Sequence, residues 1–273
     1  MSKESKYTAK SNLICEVDLV MWTKNSANLL PSVLTRIKKV IPSKVVGKKI
    51  IIDDHSTDDT VKVAKSYGWS VYINQGSGIF DAVENALKYV TTEFFISIEQ
   101  DIILSKEWWK KIPEYMKDET IAVAQGVRVA TSPVLRKLDE YLIERCDEKG
   151  KRSVISIDNN LYRTALLRKF GLNVTNHPRS RAVLERNGFK WLVDRKVISE
   201  HIRPNIKYLI KHDYRMHKRA GYHARKQRII KNFLFFFFSP FRALQICLKK
   251  KCPQMLIIYP LDRLAILMAF LLL

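Results

Sequence analysis

The stretch Ile50–Asn74, IIIDDHSTDDTVKVAKSYGWSVYIN, decides the fold. Three consecutive isoleucines suit a strand buried on both faces, and the run stops abruptly on Asp53-Asp54. A helix from about Asp58 to Tyr67 follows, with Gly68 as its stop residue, and Ser70–Asn74 returns to strand. Strand, helix and strand in so few residues form a βαβ unit, whose two strands must run parallel.

The same alternation extends to both sides. Upstream, Glu16–Trp22 reads as a buried strand. The helix after it places Leu30, Val33, Leu34, Ile37 and Ile41 on one face, with Pro31 in its first turn. Ser26 and Asn28 are its expected caps. Downstream, a helix over Ile79–Val90 carries Phe80, Val83, Leu87 and Val90 on one face, and Glu93–Glu99 is a further strand. This pattern predicts an α/β protein with a mostly parallel central sheet and helices on both faces. Right-handed crossovers bring the strand C-termini, and any ligand, to one edge.

Past Asp101 the pattern loosens into mixed α and β. Helices are expected near 106–117, 132–148, 163–170 and 178–187, and strands at 120–130, Ser153–Ile157, Phe189–Val193 and Lys196–Ser199. Trp108-Trp109, at a helix start, suit packing better than sugar stacking. Arg128 suits either a cleft or the surface.

Two acidic clusters end strands of the regular half. Carboxylates at Asp53 and Asp54 can accept hydrogen bonds from a nucleobase imide or from ribose hydroxyls. The competing reading, an N-capping cluster, accounts for Ser56, Thr57 or Asp58 but not for two adjacent aspartates at a strand end. In Glu99-Gln100-Asp101, two acids at i and i+2 can reach one divalent cation that also meets substrate phosphates.

These segments resemble a known family. IIIDDHSTDDTVKVAK is similar to the nucleotide-binding segment of family 2 glycosyltransferases, a strand followed by DDxSxDxT. EFFISIEQD (Glu93–Asp101) stands where that family has its metal-binding DxD. The early VMWTKN, the glycine-containing loop before Gly78–Ala86, and a later strand ending in His201 follow the family's order, over about residues 16 to 203.

The resemblance implies a GT-A fold, a UDP- or GDP-sugar donor, and a Mn2+ or Mg2+ cofactor. It places the base at Asp54, the ribose near Asp53, and Trp22, Thr23 and Lys24 along the base pocket. Gly78 and Asn85 are nucleotide-binding candidates. Asp101 would ligate the metal, with Glu99 in place of the usual aspartate and His201 completing the site.

Two positions depart from the family. Relatives commonly carry Arg-Asn in the helix after the glycine loop, where this chain has Glu84-Asn85. Inverting relatives place an acidic pair about a dozen residues before a glycine, where this chain has Asn176-His177 before Gly188. Inversion needs a base to take the acceptor's proton, and His177 and Asp158 are the candidates.

Charge then divides the chain. The formal net charge is +21. From Arg203 to Lys251 stand 14 Lys or Arg against one acid, Asp213. This basic segment adjoins apolar sequence at Asn232–Leu248 and Met255–Leu273. Pro240 and Arg242 interrupt the first and Asp262-Arg263 the second, so neither spans a bilayer cleanly. Interfacial or re-entrant helices facing anionic head groups fit better.

The expected organisation is a catalytic domain over 1–203 and membrane-associating helices over 204–273. The catalytic domain is expected in the cytoplasm, because the polar N-terminus has no signal-peptide pattern and the cysteines have no CxxC or metal spacing. The expected acceptor is lipid-linked or otherwise membrane-presented, and nucleic acid is not an expected partner. Glu84 and the missing acidic pair leave open a non-catalytic relative serving as a membrane-bound subunit. The basic segment also leaves open a nucleic-acid binder.

Overall fold

The computed structural model describes residues 14, 16–76, 78–148, 155–171, 177–220 and 225–272. They fall into two units. Met1–Val127 joins Ile155–Val197 in the first, and Arg128–Val154 joins Ile198–Leu273 in the second.

In chain order the elements are β1 (Val17–Thr23), α1 (Leu30–Val40), β2 (Val46–Asp53), α2 (Thr60–Ser66), β3 (Ser70–Ile73), α3 (Gly78–Leu87), β4 (Phe94–Glu99) and β5 (Ile102–Ile103). Then come α4 (Trp108–Tyr115), β6 (Ile121–Ala130), α5 (Pro133–Glu148), β7 (Asn160–Arg163), α6 (Thr164–Phe170), α7 (His177–Arg186) and β8 (Lys190–His201).

The sheet order is β3-β2-β1-β4-β7-β6-β8-β5. β1 lies between β2 and β4, parallel to both, and every one of its residues is buried. That double burial is why it reads as one apolar run. β3 adds to β2, also parallel.

The sheet is mixed rather than mostly parallel. β7 runs antiparallel to both β4 and β6, pairing Ser97 with Asn160 and Gln125 with Asn160. The strand expected at Ser153–Ile157 is not there either. Ser153 and Val154 lie outside the described residues, and Ile155–Ile157 has no strand structure.

Polar bonding explains this displacement. Asn160 Nδ2 donates to the Ser156 carbonyl at 2.7 Å, and Asn159 takes a positive φ of 64°. A turn closed by side-chain amides thus holds the apolar run, and pairing begins only at Asn160. The two strands expected over 189–199 are one, β8. Asp194 sits inside it because its Oδ2 accepts from the Tyr115 hydroxyl at 2.8 Å and its Oδ1 from the Lys196 N–H at 2.8 Å.

The first unit's core packs Val20, Trp22, Ile50, Ile52, Val83, Phe95, Tyr162 and Trp191 together. Trp108 is completely buried, so it packs rather than stacks on a ligand. α1 buries Leu30, Val33, Leu34 and Ile37 as its spacing requires. Neither Ser26 nor Asn28 caps it by side chain. Its first N–H groups bond to the Ser26 carbonyl, while Ser26 Oγ donates to the Lys24 carbonyl at 3.0 Å.

The second unit adds α8 (Ile206–Ala220), α9 (Arg225–Phe237), α10 (Ser239–Lys250) and α11 (Met255–Leu271) to α5. Leu135, Leu138, Tyr141, Leu209, Ile246, Met255 and Ile258 form its core. Arg242 donates to the Tyr141 hydroxyl at 3.2 Å, and Lys250 pairs with Glu144, tying α10 to α5.

Much apolar surface stays outside this core, including Phe233, Phe235, Phe237, Phe238 and Phe241, each at least half exposed. Among the described residues, no single helix is long and apolar enough to cross a membrane. Ile229–Phe237 and Ser239–Lys250 together reach that length, bent by 51°. Cys146, Cys247 and Cys252 are free thiols, and Cys15 lies outside the described residues.

Candidate donor site at the strand ends

The parallel strands finish level with one another. Register places Thr23 beside Asp53 and Trp22 beside both Ile52 and Glu99. The two acidic clusters therefore flank the C-terminal end of β1, at the sheet edge where open α/β sheets take ligands. Trp22 Nε1 lies 3.4 Å from Glu99 Oε1, and the Lys24 N–H donates to Gln100 Oε1 at 2.7 Å.

Asp54 is buried and its oxygens have distinct partners. Oδ1 accepts from Asn74 Nδ2 at 2.9 Å and from the Gly78 N–H at 2.7 Å, while Oδ2 meets Lys24 Nζ at 2.9 Å. Burial works against its charge, but Lys24, the Gly78 N–H and Asn74 outweigh it and hold the carboxyl below its ordinary range. Gly78 makes its bond from φ 79°, a left-handed conformation that glycine adopts without strain.

Asp53 is turned inward. Its Oδ1 accepts from Ser56 Oγ at 2.6 Å and Thr23 Oγ1 at 3.1 Å, and its Oδ2 from the Ser56 N–H at 2.8 Å. It closes the DDHS turn and fixes the direction of its neighbour. Asp58 accepts from the Thr60 N–H at 3.0 Å and from the Ala27 N–H at 3.1 Å, so it bridges to the β1 loop besides bonding at the start of α2.

Asn85 is buried and donates to Asn74 Oδ1 at 2.9 Å. It thus supports Asp54 through Asn74 from one layer below. Glu84, at the position where relatives carry arginine, is exposed.

Asp101 is buried and Glu99 half-buried at the end of β4. In the second unit, His201 is buried at the end of β8. Its carbonyl accepts from the Thr131 N–H at 2.9 Å and the Arg203 N–H at 2.8 Å. Asp139, also in that unit, is pushed up by burial, against the opposing charges of Arg203, His201 and Arg128. Arg128 is half-buried.

Asp158 is fully buried in the turn before β7. Its backbone carbonyl accepts from Ser156 Oγ at 3.1 Å, and the next residue's N–H bonds to the Ser97 carbonyl at 2.8 Å. Burial raises the nearby Tyr162 phenol well above its ordinary range, and the charges of Asp158 and Glu99 raise it further. His177 begins α7; its side chain, and Asn176, lie outside the described residues.

Sequence reasoning passed over Asn74 and Gln100 as functional residues. Asn74 is the hub between Asp54, Asn85 and the Gly78 carbonyl, which its Nδ2 also reaches at 3.0 Å. The one signal was an asparagine ending a strand directly before a glycine-containing loop.

A parallel half-sheet whose adjacent strands end in clustered carboxylates is the arrangement that the resemblance to GT-A glycosyltransferases implies. The chain belongs to glycosyl transferase family 2, whose model matches residues 18–192. It is therefore a glycosyltransferase.

Similar solved structures include the mannosyltransferase PcManGT from Pyrobaculum calidifontis, in complex with GDP-Man and Mn2+. It is 16% identical with a TM-score of 0.59, over 92% of this chain and 73% of that one. Glucosyl-3-phosphoglycerate synthase from Mycobacterium tuberculosis, in complex with Mn2+, UDP and glucosyl-3-phosphoglycerate, is 17% identical with a TM-score of 0.53, over 71% and 74%. No curated protein matches the sequence.

Proposed function

We propose that the protein transfers a sugar from a UDP- or GDP-sugar to a lipid-linked or other membrane-presented acceptor, with inversion and with a divalent cation. The observation that carries this reading is the register that sets Asp53-Asp54 and Glu99 on either side of the end of β1. Asp54, aimed by Asn74 and Gly78, takes the nucleobase, and Trp22, Thr23 and Lys24 line its pocket.

Glu99 and Asp101 at the end of β4 offer two carboxylates, a donor set that fits Mn2+ or Mg2+ beside a diphosphate, and the resemblance to the family would add the His201 imidazole. A bound ion there neutralises charge on the leaving diphosphate. The similar structures support this part of the reading, being complexes of GDP-Man with Mn2+ and of UDP with Mn2+. His177 serves as base on the acceptor hydroxyl, because Asp158 is fully enclosed by protein.

The basic segment and the exposed phenylalanines of α9 and α10 support a membrane-facing role for residues 204–273 of the second unit, with the catalytic part in the cytoplasm. Residues 1–203 are then the catalytic part and 204–273 the membrane-associating part.

The test is nucleotide-sugar binding and hydrolysis with and without Mn2+. Wild-type protein should bind UDP- or GDP-sugars only with the ion, and Asp101→Asn should lose metal-stimulated turnover by about a hundredfold or more. An unchanged Asp101→Asn enzyme would overturn the donor-site reading.

A further inference from the structure

Within the second unit, α8 and α11 border a groove of about 450 Å³ lined by Ile206, Lys207, Ile210, Lys211, Tyr214 and Ala265. α8 shapes it with two parallel stripes. Ile206, Ile210 and Tyr214 follow one another at four-residue intervals and make an apolar floor. Lys207, Lys211 and Arg215 repeat the spacing one position on and make a basic rim.

Both groove lysines are exposed, and among the described residues neither joins an ion pair. On the α11 side, Ile257, Leu261 and Leu264 are exposed large hydrophobics that lead along the helix to Ala265. The floor therefore continues into open apolar surface.

This combination selects its occupant. A soluble phosphate compound would use the lysines and leave the apolar floor idle. Nucleic acid would find aliphatic walls and one aromatic, Tyr214, lining the groove, while the stacked Tyr208–His212 pair of α8 is not part of that lining. An anionic phospholipid uses both parts, with the phosphate between two ammonium groups and the chain over isoleucine and alanine. The volume suits a head group and the first part of a chain.

We propose that this groove binds one anionic phospholipid of the bilayer, its phosphate held by Lys207 and Lys211 and its proximal chain on Ile206, Ile210, Tyr214 and Ala265. The site deepens the membrane-facing reading of the second unit and is independent of the donor chemistry.

The experiment uses the full chain and phosphatidylcholine vesicles with or without phosphatidylglycerol, read by co-sedimentation. Lys207→Gln with Lys211→Gln should weaken binding to the anionic vesicles by about tenfold or more. The control pair Lys38→Gln with Lys39→Gln, on exposed α1 positions of the other unit, should change it little. Ala265→Trp, which fills the groove without altering charge, should also weaken anionic-lipid binding. Unchanged helicity and nucleotide binding would show that these variants fold.

Equal losses from both lysine pairs would mean diffuse electrostatics and overturn the groove. Protection of Lys211 from acylation by inorganic phosphate as strong as that by anionic vesicles would assign a soluble anion and overturn the lipid. A concentration-dependent dimer abolished by Ala265→Trp would assign a second copy instead. Failure to bind any vesicle would sink both the groove and the membrane reading, while nucleotide-sugar turnover would still stand or fall separately.

Discussion

Asn74 Nδ2 donates to Asp54 Oδ1 at 2.9 Å, and Asn74 is in turn held by Asn85 at 2.9 Å. The carboxylate proposed to read the base is therefore aimed by two residues beneath it. Asn74→Ala should raise the dissociation constant for the nucleotide about tenfold, the loss of one hydrogen bond to a charged group. Isothermal titration against UDP and GDP checks this. The rate at saturating donor should change much less, since the chemistry lies elsewhere.

Gly126 stands where nothing larger fits. A Cβ there would sit 2.8 Å from the Val197 carbonyl and 2.8 Å from Asn159 Nδ2. Gly126→Ala should cost about 1–3 kcal/mol, read by urea denaturation, because backbone on one side and a buried amide on the other must move. Asn159 holds the turn that carries Asp158, so activity should fall along with stability.

Asp262, buried on α11, gives the second unit a pH dependence. Burial, and then the neighbouring Asp213, push its carboxyl up to about 6, against the pull of Arg263 2.6 Å away. In the unfolded chain the group titrates near 3.9. Between those values the folded state holds more protons, so stability falls as pH rises from about 4 to about 6. Asp262→Asn should therefore stabilise at pH 7 by about 1–2 kcal/mol and give no gain at pH 4. Thermal melts at the two pH values decide it.

The two base candidates separate by experiment. His177→Ala should cut transfer by about a hundredfold or more while leaving donor binding intact, read by transfer assays beside donor titration. Asp158→Asn should act mainly on folding, visible as a lower melting temperature. An unchanged transfer rate in His177→Ala would count against the histidine.

How much of this was legible from the residues depended on burial. β1 and β4 announce themselves because parallel strands covered on both faces need uninterrupted apolar runs. β7 did not, because its four residues NLYR begin on a buried asparagine whose bonds reach Ser156 and Tyr162. In β8, Asp194-Arg195 looks like a break, and only the distant Tyr115 hydroxyl reveals why an aspartate can sit there.

The site followed the same division. Asp54 and Asp101 were visible as residue types at strand ends. Gln100's bond to Lys24 and the Asn74 hub join positions far apart in the chain, which no local pattern records. Asp53 carries a further part that the motif does not record: it braces the DDHS turn through Ser56 and Thr23.

That brace has a kinetic side. The DDHS turn is closed by Asp53, Ser56 and Thr23, and Asn25 Oδ1 adds a bond to the Thr57 N–H at 2.8 Å. The loop is already ordered before any nucleotide arrives, so little conformational entropy remains to be lost on binding. Nucleotide should then associate in a single fast phase whose rate rises linearly with concentration, without the plateau that a slow loop-ordering step would impose.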